Sequence, residues 1–270
     1  MARIIVITSG KGGVGKTTTT SNIGMSLARL GYPTLLIDAD VGLRNLDLLL
    51  GLENRIIYTG LDVLNKKCRL EQAIIKDKRQ PNLGFFPLSS NRVEIQITSE
   101  QIKELIQLVK PNYDYILIDS PAGIDNGFLT AIECANEAVV VVTPEVPSIR
   151  DADRVIGILM SKGVEKINLI INRIRPTMVR TDDMMSIEDV TNILGIELAG
   201  VIPDSEKIIV ASNRGEPIVL EDKNCLPGVA FDNTARRLSG EKVEFLNLDN
   251  LDGKNPVKRI IRKLINRSNN

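Results

Sequence analysis

The chain has 270 residues, 43% of them hydrophobic, with 34 acidic and 34 basic side chains and no histidine. That length and apolar content suit one large α/β domain with a buried core, and no apolar run approaches the roughly 20 residues needed to cross a bilayer. The lack of histidine excludes histidine metal centres and histidine acid–base catalysis, leaving carboxylates, lysines and backbone amides, the groups from which phosphoryl-transfer sites are built. Cys68, Cys134 and Cys225 stand far apart with no CxxC pair, which argues against a disulfide framework or a zinc site and fits a reducing compartment.

In chain order, Arg3–Thr8 reads as a buried strand that leaves no room for a signal peptide before it. Further apolar runs predict strands at 34–38, 83–87, 115–119, 138–143, 167–172 and 198–202, with amphipathic segments between most of them. Thr98 with Gln101 and Ser186 with Asp189 each have the spacing of a capping box that opens a helix. This alternation predicts an α/β fold with a doubly wound, mostly parallel sheet flanked by helices. After a helix-like stretch at 231–238 the periodicity is lost, so the expected organisation is a domain over 1–238, a linker over 239–255 and a terminal element over 256–270.

Gly10-Lys11-Gly12-Gly13-Val14-Gly15-Lys16-Thr17 satisfies the phosphate-loop pattern G-x-x-x-x-G-K-[ST] between a predicted strand and a predicted helix. Glycines let successive N–H groups face a triphosphate, and the helix N-terminus adds a favourable dipole. Lys16 is expected to reach the β- and γ-phosphates, Thr17 to ligate Mg²⁺, and Thr18 to continue the same helical turn. Asp38, Asp40 and Asp119 lie at the carboxyl ends of predicted strands, where ligands of open α/β sheets bind. Asp119 is assigned to hold Mg²⁺ through water and Asp40 to position the attacking water beside the metal. Asp38 is assigned to support them. For each, a turn aspartate that caps its own loop remains the alternative.

Lys11, directly after Gly10, makes the motif resemble the deviant Walker A of the MinD/ParA family of P-loop ATPases. The resemblance implies a P-loop NTPase fold, slow ATP hydrolysis with Mg²⁺, and an ATP-dependent homodimer in which Lys11 touches the nucleotide of the other subunit. Glu145 and Asp151 are its candidate partners across that dimer, with ordinary acids at a helix N-terminus as the alternative. Asn172, Arg173, Pro203 and Asp204 occupy the places where the family contacts adenine. No Asn-Lys-x-Asp signature for guanine is present, which favours ATP over GTP. Resemblance further implies control of division-site placement, with a MinC-like inhibitor recruited and a MinE-like activator of hydrolysis. An iron–sulfur relative of the nitrogenase iron-protein kind is disfavoured, because Ala122 stands where that family has a cysteine.

The C-terminal segment carries Val257, Ile260, Ile261, Leu264 and Ile265 on one helical stripe and Lys258, Arg259, Arg262 and Lys263 opposite. Six basic residues and no acid follow Gly253, so in a neutral chain residues 1–253 carry a net charge of −6. A short basic amphipathic helix behind an acidic domain predicts binding to an anionic membrane surface. A partition ATPase that acts on DNA is the alternative, and it would put its basic patch on the folded domain. The expected location is the cytoplasmic face of a bacterial inner membrane, or the stroma and inner envelope of a plastid.

Overall fold

The computed structural model describes residues 2–40, 45–89, 97–222 and 225–247. The expected membrane-binding residues Val257, Lys258, Arg259, Ile260, Ile261, Arg262, Lys263, Leu264 and Ile265 lie outside these described residues.

Eight strands form one sheet: β1 (Arg3–Thr8), β2 (Thr34–Asp38), β3 (Ile75–Lys76), β4 (Leu83–Pro87), β5 (Tyr115–Asp119), β6 (Glu137–Val142), β7 (Lys166–Ile174) and β8 (Glu197–Pro203). Their order is β3-β4-β2-β5-β1-β6-β7-β8, parallel throughout except for the antiparallel β3. Strands β2, β4 and β5 are buried at every residue, as expected of parallel strands covered on both faces. Of the seven parallel strands, β1, β2, β4 and β5 match their predicted bounds, and β6, β7 and β8 lie within two residues of theirs at each end. β3 was not predicted, because a two-residue reversing strand leaves no periodic signal.

The helices are α1 (Lys16–Arg29), α2 (Leu46–Leu50), α3 (Gly60–Leu64), α4 (Leu70–Ala73), α5 (Ser99–Val109), α6 (Asn126–Ile132), α7 (Val146–Ser161), α8 (Pro176–Arg180), α9 (Ile187–Leu194), α10 (Glu206–Asn213) and α11 (Leu226–Leu238). Alternate residues of β1 face opposite cores: Ile5 and Ile7 pack with α1, α2, α10 and α11, while Ile4 and Val6 pack with α5, α6, α7 and α9. Both predicted capping boxes are present. Thr98 Oγ1 accepts from Gln101 N–H at 3.3 Å, and Ser186 Oγ accepts from Asp189 N–H at 3.0 Å. The last helix begins at Leu226 rather than 231, because Pro227 sits in its first turn, where a missing N–H costs nothing.

Helix α1 buries a polar face. Thr19, Ser21 and Asn22 return their donors to carbonyls one turn back, and Asn22 Oδ1 accepts the Val219 N–H at 3.2 Å. Gly200 lets α11 approach β8 closely, since a Cβ there would stand 2.4 Å from Thr234 Oγ1.

Beyond α11, residues 241–247 contain no regular element, yet they are tied down. Arg237 donates to the carbonyls of Ala199, Val243 and Glu244 at 2.9, 2.7 and 2.7 Å, and its guanidinium lies 3.8 Å from the Phe245 ring centroid. Leu246 packs against both cores. The first part of the expected linker is therefore a strap on the outer strand β8. Arg237→Ala removes three charge-assisted bonds and should lower unfolding free energy by about 1–3 kcal/mol, read by urea denaturation. An unchanged midpoint would show that the strap contributes nothing to stability.

Candidate nucleotide site

The phosphate loop leaves β1 after Thr8 and enters α1 at Lys16, at the carboxyl edge of the sheet where β1, β2 and β5 end together. Gly13 and Gly15 have φ of +78° and +93°, which L side chains rarely adopt, and Gly15 takes the place of a side-chain cap for α1. At Gly12 and Gly13 a Cβ would meet nothing within 4 Å, so the loop presents open space there. At Gly10 a Cβ would stand 2.4 Å from the backbone of Asp151, which packs the second turn of α7 against the start of the loop.

Lys16 is buried, and its ammonium lies 3.4 Å from Asp119 Oδ1. Thr20 Oγ1 donates to the same oxygen at 3.0 Å, and Thr17 also hydrogen-bonds the Asp119 carboxylate. Burial pushes the Asp119 carboxyl up from its usual range, and Lys16, Thr17 and Thr20 oppose that shift. Asp38 stands beside Asp119 in register on β2. Burial holds its carboxyl well above the ordinary range and the neighbouring Asp119 charge adds to this, while the N–H groups of Leu46 and Asp40 pull it back. Those N–H groups donate to Asp38 at 3.3 and 3.0 Å, so Asp38 holds both ends of the segment that runs from Asp40 to α2. Asp40 is half-buried at the near end of that segment.

Lys11 is exposed at the mouth of the loop, and its carbonyl accepts from Ser9 Oγ at 2.9 Å. Ser9 O in turn accepts the Gly123 N–H at 3.1 Å, joining the phosphate loop to the loop after β5. Glu145 is the exposed N-cap of α7, and Asp151 is half-buried in the same helix. Among the described residues neither forms an ion pair with Lys11 within the chain.

The four expected base-side residues come together at the ends of β7 and β8. Asp204 N–H donates to Ile174 O at 2.9 Å, and its carboxylate accepts from Arg175 Nε at 2.6 Å. Arg173 has a left-handed backbone, φ +58°, at an irregularity where β7 and β8 slip register. Asn172 is buried and points back at the phosphate loop, donating to Val14 O at 2.7 Å. An open cleft of about 640 Å³ lies beyond Arg173, between Glu145, Arg175, Met184 and Asp189, and the phosphate loop takes no part in it.

Thr20 and Ser9 are the functional-site residues that sequence reasoning missed. Thr20 had a signal, since it lies four residues after Lys16 and so one turn along the same helical face. Ser9 had none.

Among the described residues no cluster of three or more acidic groups holds a cation unaided. The hydroxyl of Thr17 and two buried carboxylates with raised pKa, beside a loop with open space, instead fit a hard divalent cation that arrives with phosphate oxygens. In the ligand-free protein both carboxyls bind a proton more tightly folded than unfolded. They therefore cost stability as pH rises from the ordinary value of 3.8 through the raised folded-state value. Asp38→Asn removes one of them and relieves the other. Urea unfolding between about pH 5 and 8 should show a flatter pH dependence. A steeper slope would contradict the repulsion between Asp38 and Asp119.

Comparison with known proteins agrees with this geometry. The CobQ/CobB/MinD/ParA nucleotide binding domain matches residues 5–218. A septum site-determining protein MinD of Emiliania huxleyi is 67% identical over 99% of this chain and 98% of its own. Among solved structures, MinD in a MinC:MinD cell division protein complex of Aquifex aeolicus superposes with a TM-score of 0.84 at 50% identity, covering 91% of this chain and 99% of that one. A septum site-determining MinD of Pyrococcus horikoshii, complexed with Mg-ADP, gives a TM-score of 0.79 at 31% identity over 88% and 96% of the two chains. With a phosphate loop, a buried Lys16–Asp119 pair and full-length likeness of this order, the chain belongs to the septum site-determining MinD branch of the CobQ/CobB/MinD/ParA nucleotide-binding family.

Proposed function

We propose that this chain is an ATP-driven switch that alternates between a free monomer and a homodimer on an anionic membrane surface, and that it positions a division inhibitor there. The observation that carries this reading is the pair of lysines in one loop. Lys16 is buried against Asp119, while Lys11 stands exposed at the loop mouth. Lys16 serves the nucleotide of its own chain. Lys11 is free to supply charge to the triphosphate held by a second copy, with Glu145 and Asp151 of α7 as its contacts across the dimer.

In this mechanism the N–H groups from Gly10 to Thr18 and the Lys16 ammonium hold the β- and γ-phosphates, and these oxygens would also relieve the buried charge of Lys16. Thr17, Asp119 and Asp40 would hold Mg²⁺, which neutralises charge that develops on the transferred phosphoryl group. Asp40 orients the attacking water, and Asp38 keeps Asp40 in place through its backbone N–H. Loss of the γ-phosphate removes the group that Lys11 grips in the partner, so hydrolysis separates the chains. Arg173, Pro203 and Asp204 line the adenine side, with Asn172 behind them.

The basic amphipathic segment at 256–270 is the membrane contact in this reading. Each basic residue near anionic lipid adds about 1 kcal/mol, which makes one copy a weak binder, and pairing two copies raises avidity by about 10²–10⁴. A MinC-like inhibitor, supported by the MinC:MinD complex of the Aquifex relative, and a MinE-like activator are the expected partners. Site of action is the inner face of a bacterial membrane or a plastid envelope.

Two experiments test the reading. Asp40→Ala should bind ATP and sediment as a dimer with phosphate release reduced at least about 100-fold, whereas Lys11→Ala should bind ATP and remain monomeric. Normal turnover by Asp40→Ala would remove Asp40 from the mechanism. With anionic vesicles, only the full chain in ATP–Mg²⁺ should pellet, not the chain truncated after Gly253, nor the Ile261→Asp/Leu264→Asp double variant, nor any form in ADP. Retention on DNA without vesicle binding would establish the partition reading instead.

A further inference from the structure

The Asn172 side chain reaches across from β7 into the phosphate loop, a contact between residues 158 positions apart. Its amide nitrogen donates to Val14 O at 2.7 Å, and its carbonyl accepts the Arg173 N–H at 2.9 Å. The two bonds together fix which end of the amide faces the loop, because a flipped amide would set its oxygen against Val14 O and its NH₂ against the Arg173 N–H. Asn172 is only 4% exposed and Val14 3%, so water does not compete for this bond. Gly15 is built around it: a Cβ at Gly15 would stand 2.3 Å from Asn172 Nδ2, and φ there is +93°.

The described residues contain no cis peptide, and a trans peptide turns its C=O and N–H to opposite sides. With Val14 O held toward Asn172, the Gly15 N–H must point the other way, toward the hollow of the loop. We infer that Asn172 is a positioning residue for the phosphate loop, whose amide orients the Val14–Gly15 peptide so that the Gly15 N–H meets a phosphate oxygen. This rests on the nucleotide-binding reading above and adds to it. One amide hydrogen is held by Val14 O, so Asn172 acts on the triphosphate in addition to any contact that its second amide hydrogen makes with the adenine edge. Because Arg173 follows it directly in a left-handed turn, the base side and the phosphate loop are joined through one side chain.

The test separates phosphate from base. Fluorescent ATP analogue bound to the protein is displaced by ATP, GTP and inorganic tripolyphosphate, each with Mg²⁺, from the parent and from Asn172→Ala, Asn172→Asp and Asn172→Ser. Thermal unfolding without nucleotide identifies the folded variants. Asn172→Ala is expected to weaken tripolyphosphate, which has no base, by about tenfold, and ATP by at least as much. Asn172→Asp, which sets a carboxylate against the Val14 carbonyl, should lose more, and Asn172→Ser, the smallest change that keeps a donor, should lose less. A loss confined to ATP, or no loss in any folded variant, would overturn the inference. Failure of the parent to bind ATP would instead overturn the nucleotide-binding reading itself.

Discussion

Lys16 and Asp119 meet in a space that excludes water, and most of the site is arranged by that encounter. A buried pair of this kind repays little of its desolvation as net stability, yet removing one partner from such a pair typically costs about 3–5 kcal/mol. The pair is therefore poor mortar and a strong constraint. It fixes the first turn of α1 against the end of β5, and Thr17 and Thr20 complete the coordination of the carboxylate from the same helix. Asp38 on the adjacent strand then faces a charge it cannot escape, a repulsion that a cation placed between the carboxylates would relieve.

From that point order spreads through backbone contacts. Ser9 links the phosphate loop to Gly123, Asp38 holds Asp40 and Leu46, and Asp151 of α7 packs on Gly10. Gly123 and Asp151 thus touch the phosphate loop directly, while Asp40 and Leu46 are reached through Asp38 and its neighbour Asp119. In the proposed mechanism, loss of the γ-phosphate would be felt at Asp40, in the loop after β5 and in α7 through these short contacts.

Much of this was legible in the sequence, for identifiable reasons. Strands buried on both faces must be continuous apolar runs, so β1, β2, β4 and β5 announce themselves with their ends intact. The glycine-rich loop carries its own grammar, and strand ends rich in aspartate point to the carboxyl edge. What remained illegible lacked local periodicity or spanned great distances. Helices α2, α3, α4 and α8 have four or five residues each and present no stripe. α1 hides polar residues where a pattern reader expects apolar ones, because Thr19, Ser21 and Asn22 find carbonyls one turn back and Thr20 finds Asp119. The Asn172–Val14 bond has no sequence signature at all: an asparagine at a strand end suggests a ligand contact, and only the folded chain shows where its amide is spent. Arg237 is similar, since an arginine in the last turn of a helix reads as a surface charge and is in fact the clasp of the strap over β8.

That clasp has a bearing on how copies of the chain can meet. β8 is the outer strand of a parallel sheet, and an unguarded outer strand is a template on which another chain can add a strand of its own. Here the Ala199 carbonyl is occupied by Arg237, with the strap held to the same guanidinium. At the opposite border β3 is two residues long, too short to seed a ladder. Both margins of the sheet are blunted against edge-to-edge growth, which leaves the carboxyl rim for the nucleotide-dependent pairing proposed above.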